Sequence, residues 1–365
     1  MVVELEEMMH SDICNNSDVV IIPDLHDWHK NIKSIQSMTE DLAKYKKDIL
    51  DYVSTLQNPI VIFAGDVFHR EVKVTDDAYN LQQFYTKLSN LCRRRVFSVV
   101  GNHELSYQRN NIFWNIVSSV SDIYPGVYSE SPLMIVCDEL LIGKTLIHLG
   151  HYQRSGYVTQ VSGKKVSDDI LITHNSLLTP EISEALKLDS EEFDDTYLHG
   201  AKLFDEGAIP YTDRLRAVFV GHMHLAHAVY HISETINDVD YSFILHYMGS
   251  IGRTNAKEFT QDLKRELPTL HIRNGELENI SNHTINLVAR EFAINEIVVK
   301  QNKENYKRQA RNNEIRYASI SFPNGLMPAL EEYLKTSPHL NSAYTHGLAG
   351  SMPVEVASIL SKYSI

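Results

Sequence analysis

The sequence predicts an α/β fold, and three observations carry that reading. Five short apolar runs, most of them rich in Val and Ile, each end on a cluster of Asp, His, Asn or Gly. The stretches between the first three runs have the three- and four-residue apolar spacing of amphipathic helices. A strand that stops at such a polar cluster delivers those side chains to the carboxyl edge of a sheet, where open α/β folds place their ligands.

The first run is Val19-Val20-Ile21-Ile22, ahead of Asp24-Leu25-His26. Behind it Ile32, Ile35, Met38, Leu42, Tyr45, Ile49, Val53 and Leu56 predict one long helix over most of residues 31–57. Ile60-Val61-Ile62-Phe63 is the second strand and meets Gly65-Asp66. Ala78, Leu81, Phe84, Tyr85, Leu88 and Leu91 predict a second helix, closed by the basic triplet Arg93-Arg94-Arg95. The third strand, Val96-Phe97-Ser98-Val99-Val100, runs into Gly101-Asn102-His103-Glu104. This strand–helix alternation implies α/β layering with right-handed crossovers.

Between Asn111 and Thr173 the apolar runs shorten, among them Leu133–Val136 and Thr145–Leu149, which predicts an extension of the sheet with loops near the site. Ile170-Leu171-Ile172 then precedes His174, and Val218-Phe219-Val220 precedes Gly221-His222-Met223-His224. The acidic patch Asp189–Asp195 reads as a solvated face. Ala226–Ser233 and Tyr241–Met248 alternate as strands, the second entering Gly249-Ser250-Ile251-Gly252-Arg253. From about residue 257 the pattern of polar clusters ends, which divides the chain into 1–257 and 258–365. Within the second part Lys300–Arg316 is the most basic stretch, either a solvated helix face or a surface for backbone phosphates.

With 365 residues and 43% hydrophobic content the chain can bury a large core. No run approaches the roughly 18 apolar residues that span a bilayer, so no membrane partner is expected. The polar start Met1–Asn16 lacks a basic-then-apolar signal pattern, so the expected compartment is the cytoplasm. Cys14, Cys92 and Cys137 form no CxxC pair, which excludes a disulfide framework or a thiolate zinc site as the organising device. The formal charge of −13 opposes indiscriminate binding of polyanions, although bound cations would offset it locally.

The donors in the polar clusters are oxygens and imidazoles, the ligands of divalent transition metals. Two such cations about 3.5–4 Å apart need a bridge, and a carboxylate supplies two oxygens and a negative charge. Asp66 is the candidate bridge.

D-x-H at Asp24–His26, G-D at Gly65–Asp66, G-N-H-E at Gly101–Glu104, the lone His174 and G-H-x-H at Gly221–His224 resemble, in that order, the calcineurin-like metallophosphoesterase superfamily. The resemblance covers residues 18 to about 255 and implies a layered β-sandwich flanked by helices, with a smaller C-terminal α+β extension. It implies that Asp24, His26, Asp66 and His224 hold one divalent metal, and Asp66, Asn102, His174 and His222 the other, the metals being manganese, iron or zinc. His103 matches the histidine that touches the scissile phosphate and assists the leaving group, and Glu104 would orient it. The implied reaction is attack on phosphorus by a metal-bridging hydroxide, without a covalent intermediate. His29, His69, His148, His151, His199, His227 and His246 lie near the motifs and read as structural or surface residues; His69 stands where many relatives carry a carboxylate.

The G-D-x-F form at Gly65–Phe68, the G-N-H-E block and Gly249-Ser250 followed by Arg253 are most similar to the SbcD-type DNA repair exonucleases and their phage-encoded relatives. That narrower resemblance implies manganese-dependent cleavage of DNA phosphodiesters, a homodimer, residues 258–365 as a capping region, and a separate coiled-coil ATPase partner. Arg253 is the candidate substrate-phosphate contact. A groove lined by Arg93–Arg95 and Lys300–Arg316 would favour DNA. A closed pocket would favour a phosphodiesterase or phosphatase acting on a small nucleotide or a phosphoprotein. A non-catalytic scaffold of the same fold is the third reading, and the complete ligand set stands against it.

Overall fold

The computed structural model of the chain describes residues 2–4, 15–27, 36–68, 76–106, 113, 116–119, 133–152, 165–178, 201–202, 209–210, 212–224, 227–236, 238–251 and 265–285. The chain divides into two compact units, Met1–Asn295 and Glu296–Ile365, and every described residue belongs to the first. In chain order the first elements are β1 (Val2–Glu4), β2 (Ser17–Ile22), α1 (Gln36–Ser54), β3 (Ile60–Phe63), α2 (Asp76–Leu91), β4 (Val96–Ser98) and α3 (Asn102–Ser106). Then come β5 (Val117–Ser119), β6 (Met134–Val136), β7 (Glu139–Ile142), β8 (Thr145–Gly150), β9 (Asp168–Thr173), β10 (Leu177–Leu178) and β11 (Ala201–Lys202). The last are β12 (Leu215–Val220), β13 (Ala228–Ile236), β14 (Val239–Tyr247), β15 (Glu266–Arg273) and β16 (Glu276–Thr284).

Among these strands are two seven-stranded mixed sheets, the first ordered β16-β15-β2-β3-β4-β6-β5 and the second β1-β7-β8-β9-β12-β14-β13. The strands that carry the polar clusters are parallel within each sheet: β2, β3 and β4 in one, β9 and β12 in the other. Alternation along each strand explains the layers. Val19, Ile21, Ile60, Ile62 and Phe97 face Leu140, Ile147, Ile170, Ile172 and Phe219 in the core between the sheets. Val20, Ile22, Val61 and Phe63, on the other face, pack against Tyr45, Ile49 and Val53 of α1 and Phe84, Tyr85 and Leu88 of α2. A third cluster, with Leu171, Val218, Val220 and Leu245, covers the outer face of the second sheet. Both faces are buried, so these strands read as unbroken apolar runs, and each fully buried Val, Ile or Phe contributes roughly 1.5–3 kcal/mol. This is the α/β sandwich expected from the sequence.

Both expected helices are present, α1 over Gln36–Ser54 and α2 over Asp76–Leu91. The shorter runs after Asn111 form β6 and β8, and the alternating segments after His224 pair as the antiparallel β13 and β14. Beyond the expected boundary at 257, β15 pairs antiparallel with β2 and with β16, so this hairpin extends the first sheet. Of the expected C-terminal α+β extension, 258–365, the residues from 286 on, and the stretches Asp189–Asp195 and Lys300–Arg316, lie outside the described residues. Cys92 and Cys137 are free, buried thiols. Among the described residues no helix is long and apolar enough to cross a membrane.

Of the two basic stretches whose groove would favour DNA, Arg93–Arg95 is among the described residues. Arg93–Arg95 close α2 just before β4 begins, so they lie at the amino edge of the parallel strands, whereas Asn102 and His103 follow the carboxyl end. The two edges are on the order of 20 Å apart along the strand. Arg95 is buried and donates from Nε to the Cys92 carbonyl at 2.9 Å, so it caps the helix end and does not line the site.

Candidate metal centre

Asp24 and His26 follow β2, Asp66 follows β3, and Asn102 and His103 follow β4; His174 follows β9, and His222 and His224 follow β12. Two parallel sets of strands, one in each sheet, therefore bring their carboxyl ends to one place. His26, Asp66 and His222 have φ of 46°, 46° and 69°, in the left-handed region that turns the chain sharply as each strand ends. His26 N–H donates to the Asp66 carbonyl at 2.9 Å and Asp27 N–H to the Val67 carbonyl at 2.8 Å, which locks the first two loops together.

Glycine is required at two of these turns. Gly65 has φ of +101°, and a Cβ there would lie 2.3 Å from His174 Nδ1. A Cβ on Gly101 would lie 2.1 Å from Asp66 Oδ1. The G-D and G-N-H-E motifs thus need glycine so that the ligand side chains can close over the backbone.

Asp66 is the centre of the arrangement. Its Oδ2 lies 3.3 Å from His174 Nε2 and 3.7 Å from both His26 Nε2 and His103 Nε2, while its Oδ1 accepts from His103 N–H at 2.9 Å. Burial alone would raise this carboxyl; the surrounding imidazoles of His174, His103 and His26 hold it well below the usual carboxylate range. The Asn102 carboxamide oxygen stands 3.1 Å from His174 Nε2. Turned over, its NH₂ reaches Asp66 Oδ2 at 3.0 Å and His222 Nδ1 at 3.1 Å. The turned orientation suits these acceptors alone, and the oxygen-inward one suits a cation.

Among the described residues, two groups have donor atoms that all lie within 4.8 Å of one another: Asp66, His174 and His222, and His26, Asp66 and His103. The first contains three of the four ligands expected for one metal, with Asn102 beside it. In the second, His103 comes as close to His26 and Asp66 as a ligand would. His224 Nε2 faces His26 Nε2 at 2.7 Å, two imidazole nitrogens converging on one point. Asp24 lies between the loops: its Oδ2 accepts from His222 N–H at 2.9 Å and its Oδ1 is 3.4 Å from His174 Nδ1.

These residues fit divalent cations. Asp24 Oδ1 is fully buried and accepts no hydrogen bond among the described residues. Burial drives the Asp24 carboxyl up to about 6. Burial would lower His174, but Asp66 and Asp24 carry it up to about 10; burial and the charge on His174 push His222 down to about 3. Carboxylates and imidazoles packed this closely hold their charges at each other's expense, and a cation supplies the missing positive charge without a proton.

Glu104 acts on the backbone. Its Oε2 accepts from Asp66 N–H at 3.0 Å and Gly101 N–H at 2.9 Å, and its Oε1 from Phe68 N–H at 3.2 Å. It clamps the loop after β3 to the loop after β4, with its carboxyl pushed up to about 8 by burial and by the charge on Asp66. Arg253, His29, His69 and His199 lie outside the described residues. His148 and His246 are buried elsewhere in the fold, whereas the buried His151 lies behind the site, where its Nδ1 accepts from Val100 N–H at 3.0 Å and its carbonyl from the Asn175 amide at 3.0 Å. Tyr152, not singled out in the sequence, packs its ring against His222 and His174, with centroids 5.4 and 6.1 Å apart. Its signal was position: it follows β8, the neighbour of β9, at the same carboxyl edge.

A family model described as calcineurin-like phosphoesterase matches residues 18–226. No curated protein matches the chain. One similar solved structure is that of a 5'-nucleotidase precursor from Thermus thermophilus, with 13% identity and a TM-score of 0.39, covering 81% of this chain. The chain spans 59% of that protein's length.

Proposed function

The chain belongs to the calcineurin-like phosphoesterase family, and on that footing we propose that it is a two-metal phosphodiester hydrolase acting on DNA, an exo- or endonuclease of repair or recombination type. The observation that carries metal-dependent hydrolysis is the buried Asp66 carboxylate with three imidazoles within 3.7 Å of one oxygen. Asp24, His26, Asp66 and His224 would hold one cation, and Asp66, Asn102, His174 and His222 the other. Divalent cations bound there, manganese being the first choice and iron or zinc the others, would supply Lewis acidity toward the phosphate oxygens and the attacking water.

The chain's own residues do the rest. His103 keeps 26% of its side chain exposed, so it can reach a phosphoester and pass a proton to the leaving oxygen. Glu104 holds the Asp66 and Gly101 backbones in register. Arg253 would contact substrate phosphate. The SbcD-like G-D-x-F, G-N-H-E and Gly249–Arg253 motifs support DNA as the substrate, with a homodimer and a coiled-coil ATPase as partners in the cytoplasm. Residues 258–365 are the proposed capping region, and within it 266–284 join the first sheet as β15 and β16.

A small nucleotide or phosphoprotein is the second reading, favoured by the position of Arg93–Arg95 at the opposite strand edge. Manganese-dependent hydrolysis by purified protein separates the two. Linear double-stranded DNA, single-stranded DNA, bis-para-nitrophenyl phosphate and para-nitrophenyl phosphate are run side by side, with Asp66→Ala as control. DNA shortening that vanishes in the variant establishes the nuclease. Turnover of the small esters with DNA untouched moves the function to a phosphodiesterase or phosphatase, and silence on all four with metals bound leaves the scaffold.

A further inference from the structure

Asp27 directly follows the ligand His26, yet its carboxylate lies among the helices. It is fully buried, with Lys46 Nζ of α1 at 2.5 Å from Oδ2 and the Tyr85 hydroxyl of α2 donating to the same oxygen at 3.0 Å. A carboxylate taken out of water costs several kcal/mol unless charge and hydrogen bonds offset it, so such a group is kept only where its partners are supplied together. Here they come from two different helices and meet on one loop. The Tyr85 ring packs against Phe68, with centroids 5.3 Å apart, and Phe68 bridges Asp27 through the backbone. Tyr45 of α1 adds a hydroxyl to the Leu25 carbonyl at 3.4 Å. The loop holding Asp24 and His26 and the loop holding Asp66 are thus tied to each other, and through Asp27 to both helices.

We propose that Asp27, held by Lys46 and Tyr85, is a positioning residue for metal ligation, anchoring the first ligand loop to the helical layer so that His26 and Asp66 reach one cation together. The geometry explains why. His26, at φ of 46°, turns the chain so that its ring enters the metal cluster while the next side chain points the opposite way. A loop pinned on one face presents its ligand on the other without paying to order it on binding. Partners that orient metal ligands are typically worth about 10–100-fold in metal affinity.

This inference rests on the two-metal reading, and its test is built to separate the two. Manganese affinity is measured by calorimetry on full-length wild type, Asp66→Ala, Asp27→Asn and Tyr85→Phe, with thermal unfolding of each metal-free protein alongside. Asp27→Asn keeps the shape and removes the charge; Tyr85→Phe removes one hydrogen bond and keeps the ring, and carries the test should Asp27→Asn fail to fold. Expected is a fall in affinity of about 10–100-fold in Asp27→Asn and a smaller fall in Tyr85→Phe. Saturating manganese should restore turnover in both, so the defect lies in ligation. Affinity within twofold of wild type in folded variants, with Asp66→Ala losing metal, overturns the positioning role alone. Wild type that binds no manganese, zinc or iron overturns the two-metal reading together with this inference.

Discussion

Asp66 meets three imidazoles, an amide and a main-chain N–H within a few ångströms, so its removal is the most informative single change. Asp66→Ala is expected to abolish hydrolysis and at least one bound metal, read by metal analysis beside the rate. His103→Ala should keep its metals and lose about 10²–10⁴-fold in turnover. Its closeness to His26 and Asp66 makes this a real division, since loss of metal in that variant would make His103 a ligand. Gly65→Ala should behave like a ligand deletion without touching a ligand. The new Cβ would meet His174 at 2.3 Å and the φ of +101° would strain any other residue, at a cost of order 1–3 kcal/mol before the clash. Metal bound at the Asp66, His174 and His222 group is the readout, and unchanged occupancy would show that the backbone relaxes.

Among the polar clusters that join elements away from the site, those around Asp18 and His148 have a pH signature. On β2, Asp18 accepts from Gln57 N–H at 2.8 Å, Arg273 Nη2 at 2.6 Å and His271 Nδ1 at 2.8 Å, tying β2 to β15 and to the turn before β3. Burial opposes its charge, but the Gln57, Arg273 and His271 contacts leave its pKa below the ordinary value. Its contribution is therefore present above an ordinary carboxyl pKa of about 4 and lost as pH falls through the lower folded value. His148 on β8 has the opposite sign. It lies between Glu139 of β7 at 3.2 Å and Asp169 of β9 at 3.4 Å, and these carboxylates raise its pKa against burial. Its stabilisation is complete below about 6.5 and disappears as pH rises through the higher folded value. His148→Gln should cost about 3 kcal/mol at pH 6, with the difference from wild type shrinking toward pH 9 in denaturant titrations. Reversing the exposed charges at Arg93 and Arg94 should leave hydrolysis of DNA and of small diesters within about twofold, because the end of α2 lies at the wrong edge of the strands for substrate. A larger loss on DNA alone would return that triplet to the binding groove.

For the whole molecule, metal and fold are linked, because ligands from two sheets meet only when both sheets are formed. Manganese at about 100 times its dissociation constant should stabilise the native state by roughly 2.7 kcal/mol, raising the melting temperature by about 5 °C. Chelator should remove that increment, and Asp66→Ala should not show it. Much of this was legible beforehand. The helices at 36–54 and 76–91 follow from apolar spacing, and the strands from β-branched runs buried on both faces. The candidate ligands were legible because the G-D, G-N-H-E and G-H-x-H motifs couple a glycine that a close approach requires to a side chain that a cation can use, with D-x-H and His174 completing the order. Other features needed the folded chain. Sequence spacing carries no record of which strand edge a segment reaches, so Arg93–Arg95 could be placed only through the parallel pairing of β3 and β4. Nor does it show that β15 and β16 complete the first sheet, a long-range register with β2 set by packing. Glu104 as a backbone clamp, Asp27 turned toward the helices and Tyr152 beside His222 and His174 are likewise decided by side-chain direction in three dimensions. The sequence by itself determined the chemistry of the donors and the order in which strands deliver them, because both are local properties. The tertiary structure decided which donors come together and what holds them there, because those depend on distances between residues far apart in the chain.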